Sequence, residues 1–214
     1  MKIQPPKLFA GIERYFSILD ITSLCENRKT VLASLIEYSS RKIEAGQPVL
    51  LNFICTHNSR RSQFAQVWAQ TAAAVSGFEI SAFSGGVEVT SFNSRAIETL
   101  RTAGFKIQGS GTDNPKYELG FSPEKPPIAG FSKMYDHPDN PAQNFAAVLT
   151  CSHADENCPF ISGAEARFSL AYEDPKEFDG TSREAIMYET RSRQIATEMY
   201  YVFSQVRTQL LLNG

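Results

Sequence analysis

Eight consecutive residues, Cys55-Thr56-His57-Asn58-Ser59-Arg60-Arg61-Ser62, bring a nucleophile, main-chain amides and two guanidinium groups into one short loop. The apolar run Val49 to Ile54 before them reads as a buried strand, and Gln63 to Gln70 after them reads as a helix. A strand, loop and helix in that order turn loop N–H groups and the positive end of the helix dipole onto one tetrahedral anion. Arg61 is then placed to fork two of the anion's oxygens. The same field favours a thiolate at Cys55, the form of cysteine that attacks near neutral pH. Ser62 is expected to donate a hydrogen bond to that sulfur, and Asn58 to hold the loop open by bonding to main chain. The expected oxyanion cradle is Thr56, His57, Asn58, Ser59, Arg60, Arg61 and Ser62.

A second apolar run, Phe145 to Thr150, ends in Cys151, and Cys158-Pro159 follows seven residues later. If the two strands are parallel neighbours, Cys55 and Cys151 lie on one sheet edge, where ligands of open α/β sheets bind. The polar stretch between Cys151 and Cys158 is short enough to loop or unwind, which suits a relay of thiols. Two ordinary buried thiols are the plainer reading of the same spacing. A metal reading, with His153 beside the two cysteines, lacks a fourth partner and the tight Cys-x-x-Cys spacing, so no metal is expected. Further on, the strand-like run Ala166 to Ala171 delivers Tyr172-Glu173-Asp174-Pro175. Proline fixes the backbone beside Asp174. A carboxylic acid next to an anion site can protonate a leaving oxygen, although an aspartate before a turn proline is by itself a common loop feature.

Together these pieces resemble the low-molecular-weight protein tyrosine phosphatase superfamily, and within it the thioredoxin-coupled arsenate reductases. The reductase loop reads Cys-Thr-Gly-Asn-Ser-Cys-Arg-Ser, against Cys55 to Ser62 here. Gln63, Ala65, Phe83-Ser84-Gly85-Gly86 and Asn93-x-x-Ala96-Ile97 continue the pattern, and Asp174-Pro175 matches the general-acid loop. Cys151 and Cys158, with Pro159, have the spacing of the reductases' two resolving cysteines, which plain phosphatases lack. The resemblance spans roughly residues 48–212. It implies that Cys55 attacks arsenate, that Asp174 protonates the departing water or hydroxide, and that Cys151 then Cys158 carry the oxidation to a disulfide reduced by thioredoxin. No bound cofactor is implied; thioredoxin is the external reductant. The alternative is a phosphatase that cleaves phosphoesters through a Cys55 phosphoenzyme, and a second is a non-catalytic oxyanion-binding module. Two departures stand in the loop: His57 replaces a glycine, expected to strain the backbone there, and Arg60 replaces a residue that is usually cysteine. Gln66 replaces a glutamate associated with potassium, so none is expected.

The elements that must position these groups follow from periodicity. Residues 48–110 read as strand, helix, strand, helix and short strand, and right-handed crossovers make such a sheet parallel. The fold expected is a three-layer α/β sandwich with a central parallel sheet over 48–214, preceded by a helical N-terminal extension over 1–47. In the extension, Phe9, Ile12, Phe16 and Leu19 share one helical face, and Leu24, Val31, Leu35 and Ile43 another, ending at Gly46. Cys25 there is expected to be a buried structural thiol. Residues 111–143 hold six of the eleven prolines, marking an insertion that reads most simply as an elaborated surface loop; a hairpin, with Tyr117, Phe121, Phe131 or Tyr135 forming a lid or aromatic wall, is the sharper alternative. The last helix opens on a capping box, Thr181-Ser182-Arg183-Glu184, and buries Ile195, Met199, Val202, Val206 and Leu210 against the sheet. A net charge of -2 offers nothing to nucleic acid or an anionic membrane. No apolar run reaches membrane-spanning length, no signal sequence is apparent, and four cysteines without a disulfide framework point to a reducing, cytoplasmic setting.

Overall fold

The computed structural model describes residues 4–157 and 160–212. In chain order its elements are α1 (Ala10–Ser17), α2 (Glu26–Glu44), β1 (Leu50–Cys55), α3 (Arg61–Val75), β2 (Ser81–Gly86), α4 (Ser94–Ala103) and β3 (Lys106–Ser110). They continue as β4 (Lys116–Gly120), β5 (Ile128–Gly130), β6 (Phe145–Leu149), α5 (Ser152–Asn157), β7 (Ala164–Ser169) and α6 (Glu184–Leu212), with 3-10 turns at Ile21–Ser23 and Pro175–Phe178.

Four strands pair in parallel in the order β2-β1-β6-β7, the central parallel sheet expected from the sequence. Side chains alternate across it, as a period of two requires. Leu51, Phe53, Ala146 and Val148 join a large core built with α1, α2, α3, α4 and α6. Ile54, Phe145, Ala147 and Leu149 join a smaller one with Ala154 of α5 and Ile161, against which Tyr135 packs. The two outer layers are therefore unequal, and Cys55 and Cys151 both belong to the thinner side.

The helical additions sit at both ends of the chain in sequence. α1 buries Ile12, Tyr15 and Phe16, and α2 buries Leu32, Leu35, Ile36, Tyr38 and Ile43. Tyr15 stacks on Trp68 of α3 at 4.8 Å between ring centroids, so α1 grips the helix that carries the active loop. Val31 is exposed and Leu32 takes its place in the core, a one-residue rotation from the expected face. Cys25 is exposed, contrary to the expectation of a buried thiol. It caps the N-terminus of α2, where its main-chain oxygen accepts from Arg28 and Lys29 while Leu24 packs on the core. The five apolar residues of α6 are buried as expected, but α6 packs mainly on α3 and α2 rather than on the sheet. Its start departs slightly from a capping box: the Glu184 carboxylate accepts from the Gly180 N–H at 2.6 Å, and Thr181 Oγ1 from Arg183 N at 3.2 Å.

β3 does not continue the central sheet. It pairs antiparallel with β4, and β4 with β5, so residues 106–130 build a separate three-stranded sheet. The chain then returns along the free edge of β2, where Gly86 N–H donates to Lys133 O at 2.8 Å and Tyr135 N–H to Gly86 O at 2.9 Å. Gly85 makes this approach possible, since a Cβ there would lie 2.3 Å from the Tyr135 Cα. Among the described residues no helix is long and apolar enough to cross a membrane.

Candidate active site

β1 ends at Cys55 and α3 begins at Arg61, so the loop between them spans one strand end and one helix start. Phe64 N–H closes the first helical bond to Arg60 O, which leaves the amides of Arg61, Ser62 and Gln63 without an acceptor inside the helix. Cys55 is buried, and its Sγ lies 3.1 Å from Ser62 Oγ. Asn58 Nδ2 donates to the same Ser62 oxygen at 2.9 Å, which leaves the serine hydrogen free to point at the sulfur. Asn58 Oδ1 accepts from Lys133 N–H at 2.9 Å, and this fixes the orientation of the amide.

The left-handed turn of the loop falls on Asn58 (φ 46°) and not on His57, so the strain expected from replacing glycine by histidine is absent. Asparagine tolerates that conformation better than most residues. His57 turns its ring toward Glu88, with Nε2 3.3 Å from the carboxylate, while its carbonyl accepts from Ser132 Oγ at 2.9 Å. Ser59 Oγ donates to Ser91 O at 2.7 Å, and Gln63 Nε2 donates to Asn58 O and Phe131 O. Gly86 lies so close that a Cβ would meet Asn58 N at 2.8 Å. Residues 131–135 thus form a buttress behind the loop. Of the candidate lid aromatics, Phe121 and Phe131 are buried, Phe121 in the large core.

Asp174 reaches the loop from the opposite side. Its Oδ1 accepts from Arg60 Nε at 2.9 Å, and its Oδ2 pairs with Arg61 Nη2 at 2.8 Å. The same carboxylate caps the 3-10 turn, accepting from Lys176 N–H at 3.1 Å, and Arg61 Nη1 donates to Tyr172 O at 3.1 Å. Burial works against ionisation of Asp174, but the guanidiniums of Arg61 and Arg60 outweigh it and hold the carboxyl below the ordinary carboxylate range. The loop bearing Asp174 is itself anchored. Tyr172, fully buried, donates its hydroxyl to Glu198 Oε2 at 2.7 Å, and burial keeps this phenol neutral far into the alkaline range. Arg28 of α2 forks Glu198 with two bonds of 2.8 Å and covers the Tyr172 ring.

Cys151 follows β6, which pairs with β1 in parallel register at Ile54 and Leu149. The two cysteines therefore leave adjacent strands at the same edge. Thr56 Oγ1 lies 3.6 Å from Cys151 Sγ and 3.3 Å from His153 Nδ1. Cys151 Sγ accepts from Ala154 N–H at 3.3 Å and so caps α5. Cys25, Cys55 and Cys151 are free thiols. Cys158, the expected second resolving cysteine, lies outside the described residues.

Sequence reasoning missed Ser132 and Lys133 as supports of the loop and Arg60 as a partner of Asp174. Lys133 is 4 % exposed, with no carboxylate within ion-pair distance among the described residues. Burial lowers its ammonium to about 8. No local pattern signals these contacts, because the partners lie 75 and 114 positions apart.

No family model matches the chain. An arsenate reductase of Staphylococcus aureus (strain Newman) is 30% identical over 124 residues, covering 58% of this chain and 76% of that protein. An arsenate reductase of Bacillus licheniformis is 26% identical over 153 residues, covering 72% of this chain and 93% of that one. Among solved structures, the YwlE arginine phosphatase from Geobacillus stearothermophilus superposes with a TM-score of 0.50 at 19% identity, over 78% of this chain and 98% of that one, a likeness of fold. With a cysteine loop, an arginine and an aspartate gathered at the sheet edge, the chain belongs to the arsenate reductase family.

Proposed function

We propose that this enzyme reduces arsenate to arsenite through a thiol relay that thioredoxin resets. The observation that carries the reading is the emergence of Cys55 and Cys151 from adjacent parallel strands, with the Thr56 hydroxyl bridging toward the second thiol. Arsenate enters the cradle of residues 56–62, displaces the Asp174 carboxylate from Arg61, and is attacked by the Cys55 thiolate. A sulfur–arsenic bond forms, and an oxygen departs beside Asp174. The Cys151 thiolate then attacks Cys55 Sγ. The electron pair of the sulfur–arsenic bond goes to arsenic, which leaves as arsenite, and a Cys55–Cys151 disulfide remains.

Cys158 attacks Cys151 next, freeing Cys55 and moving the disulfide to the 151–158 pair, which a thioredoxin dithiol reduces. The six residues of α5 lie between Cys151 and Cys158 in sequence, and a disulfide needs the two Cα atoms within about 7 Å, so α5 is expected to loosen in this step. All three thiols must be reduced at rest, which fits a cytoplasmic setting.

Phosphoester hydrolysis is the second reading, favoured by the contact of Asp174 with Arg61. It shares the attack by Cys55 and ends with water in place of Cys151. Arsenate-dependent NADPH consumption with thioredoxin and thioredoxin reductase, run beside para-nitrophenyl phosphate hydrolysis, separates the two. Arsenate turnover abolished by Cys158→Ser, with hydrolysis retained, is the expected outcome. Hydrolysis alone in the unmodified enzyme makes it a phosphatase and overturns the relay.

A further inference from the structure

Asp174 carries a cation on each carboxylate oxygen, and the two cations differ in kind. Arg61 is six positions after Cys55, the spacing of an anion-forking arginine, so a bound oxyanion draws it from Oδ2. The Arg60 side chain is committed to Asp174 instead. It is 9 % exposed, and its Nε holds Oδ1 beside the Lys176 N–H. The other charged groups around this turn are already engaged: Glu173 pairs with Arg191, Asp179 accepts from Tyr188, and Arg95 pairs with Glu184. With an anion in the cradle, Asp174 thus still faces one full positive charge that favours the carboxylate.

The two candidate reactions place different demands on that carboxyl. In ester cleavage the Cys55 thiolate forms a sulfur–phosphorus bond, the phosphorus–oxygen bond breaks, and the proton of a neutral Asp174 goes to the alcohol or phenol oxygen. A phosphomonoester dianion has no proton of its own to give. Dihydrogen arsenate has two. Thiolate attack on it yields the thiol–arsenate dianion and water, with both protons leaving on the departing oxygen and none required from the protein.

We propose that Arg60 is a specificity-determining residue: by holding Asp174 as a carboxylate it suppresses ester cleavage and spares arsenate, which brings its own protons. This rests on the arsenate reading for its physiological meaning, while the effect on ester cleavage stands apart from it. Arg60 then acts through Asp174 as a positioning residue, and its substitution changes which leaving groups the site accepts.

The test compares Arg60→Gln, which keeps a hydrogen-bond donor without the charge, and Arg60→Ala with the unmodified enzyme. Phenyl phosphate, with a poor leaving group, and para-nitrophenyl phosphate, with a good one, are followed across pH, and arsenite release in a single turnover is measured on the same samples. Both variants are expected to cleave phenyl phosphate at least tenfold faster, with the alkaline limb of kcat moved to higher pH. The rate gap between the two esters narrows, and arsenite release does not share the gain seen with phenyl phosphate. Equal losses of every activity with an unmoved limb would mean that Arg60 only supports the fold, and an unchanged phenyl phosphate rate would equally overturn the proposal. If no protein releases arsenite but the ester limb still moves, the arsenate reading fails and the role of Arg60 stands.

Discussion

The two thiols that leave neighbouring strands are held in contrasting ways. Around Cys55, Asn58 bonds to Ser62 and to the Lys133 amide, Gln63 bonds to two carbonyls, and Ser59 and His57 are tied to the segments at residues 91 and 132. Around Cys151, α5 is six residues long, buries Ala154, and exposes Ser152, His153 and Glu156. Asp155 tethers it to β7, pairing with Arg167 and accepting from Ser169. A nucleophile that must meet a tetrahedral anion gains from a fixed geometry. On the proposed relay Cys151 first receives and then passes on a bond, and gains from an arm that gives way.

Removing the centre of the rigid side gives the largest effect. Asn58→Ala deletes two buried hydrogen bonds, leaves the Lys133 amide unpaired, and places alanine in a left-handed turn. A stability loss of about 3 kcal/mol and roughly a hundredfold loss of ester and arsenate turnover are expected. Urea denaturation and steady-state rates measure both, and a loss of stability without a loss of rate would show that the loop does not depend on Asn58 for its shape.

Lys133→Met sharpens the picture of the buttress through pH. The folded ammonium, depressed to about 8 by burial, binds its proton more weakly than the unfolded one. Stability is therefore penalised below the folded value, and the penalty lifts as pH rises from about 8 toward the unfolded value near 10.4. The methionine variant is expected to be more stable by up to about 3 kcal/mol at pH 7, with the advantage gone near pH 10. Parallel stability curves for the two proteins would place the cost elsewhere.

Thr56 joins the two sides, so its substitution tests whether they are separable. Thr56→Val removes the hydroxyl beside Cys151 and His153 while keeping the side-chain volume. A five- to tenfold slower arsenite release, the worth of about one hydrogen bond, is expected with ester hydrolysis nearly unchanged. An equal slowing of both reactions would mean that Thr56 serves the cradle alone.

The sequence made the Cys55 side legible further than the Cys151 side, and the reason is distance along the chain. Cys55, Asn58 and Ser62 sit within one loop, so their spacing already encodes their contacts. The parallel sheet followed from two apolar runs with helices between. Arg60 gave no hint of its partner because Asp174 is 114 positions away, and Lys133 none because nothing local marks a lysine for burial. His57 misled for a different reason: the glycine it replaces suggested a strained site, yet the positive φ lies one residue later, on Asn58. β3 misled because a short exposed strand carries no signal of which sheet it joins. Cys25 misled because a cysteine one position before a helix is read as core when its neighbour Leu24 is what turns inward.

Asp155 offers the smallest effect on the fold and the sharpest on the contrast between the two thiols. It is partly exposed, and ion pairs of that kind contribute at most about 1 kcal/mol, so Asp155→Ala should change stability little. Ester hydrolysis, which ends before Cys151 is needed, should not change. What the substitution alters is the tether of α5 to Arg167 and Ser169, and hence the ease with which the arm unwinds. Transfer of the disulfide to the 151–158 pair is then expected to speed up by a few-fold, read by rapid thiol trapping after a single arsenate turnover. A slower transfer would invert the comparison, because the α5 arm would then be a second pre-organised site and its shortness no sign of mobility.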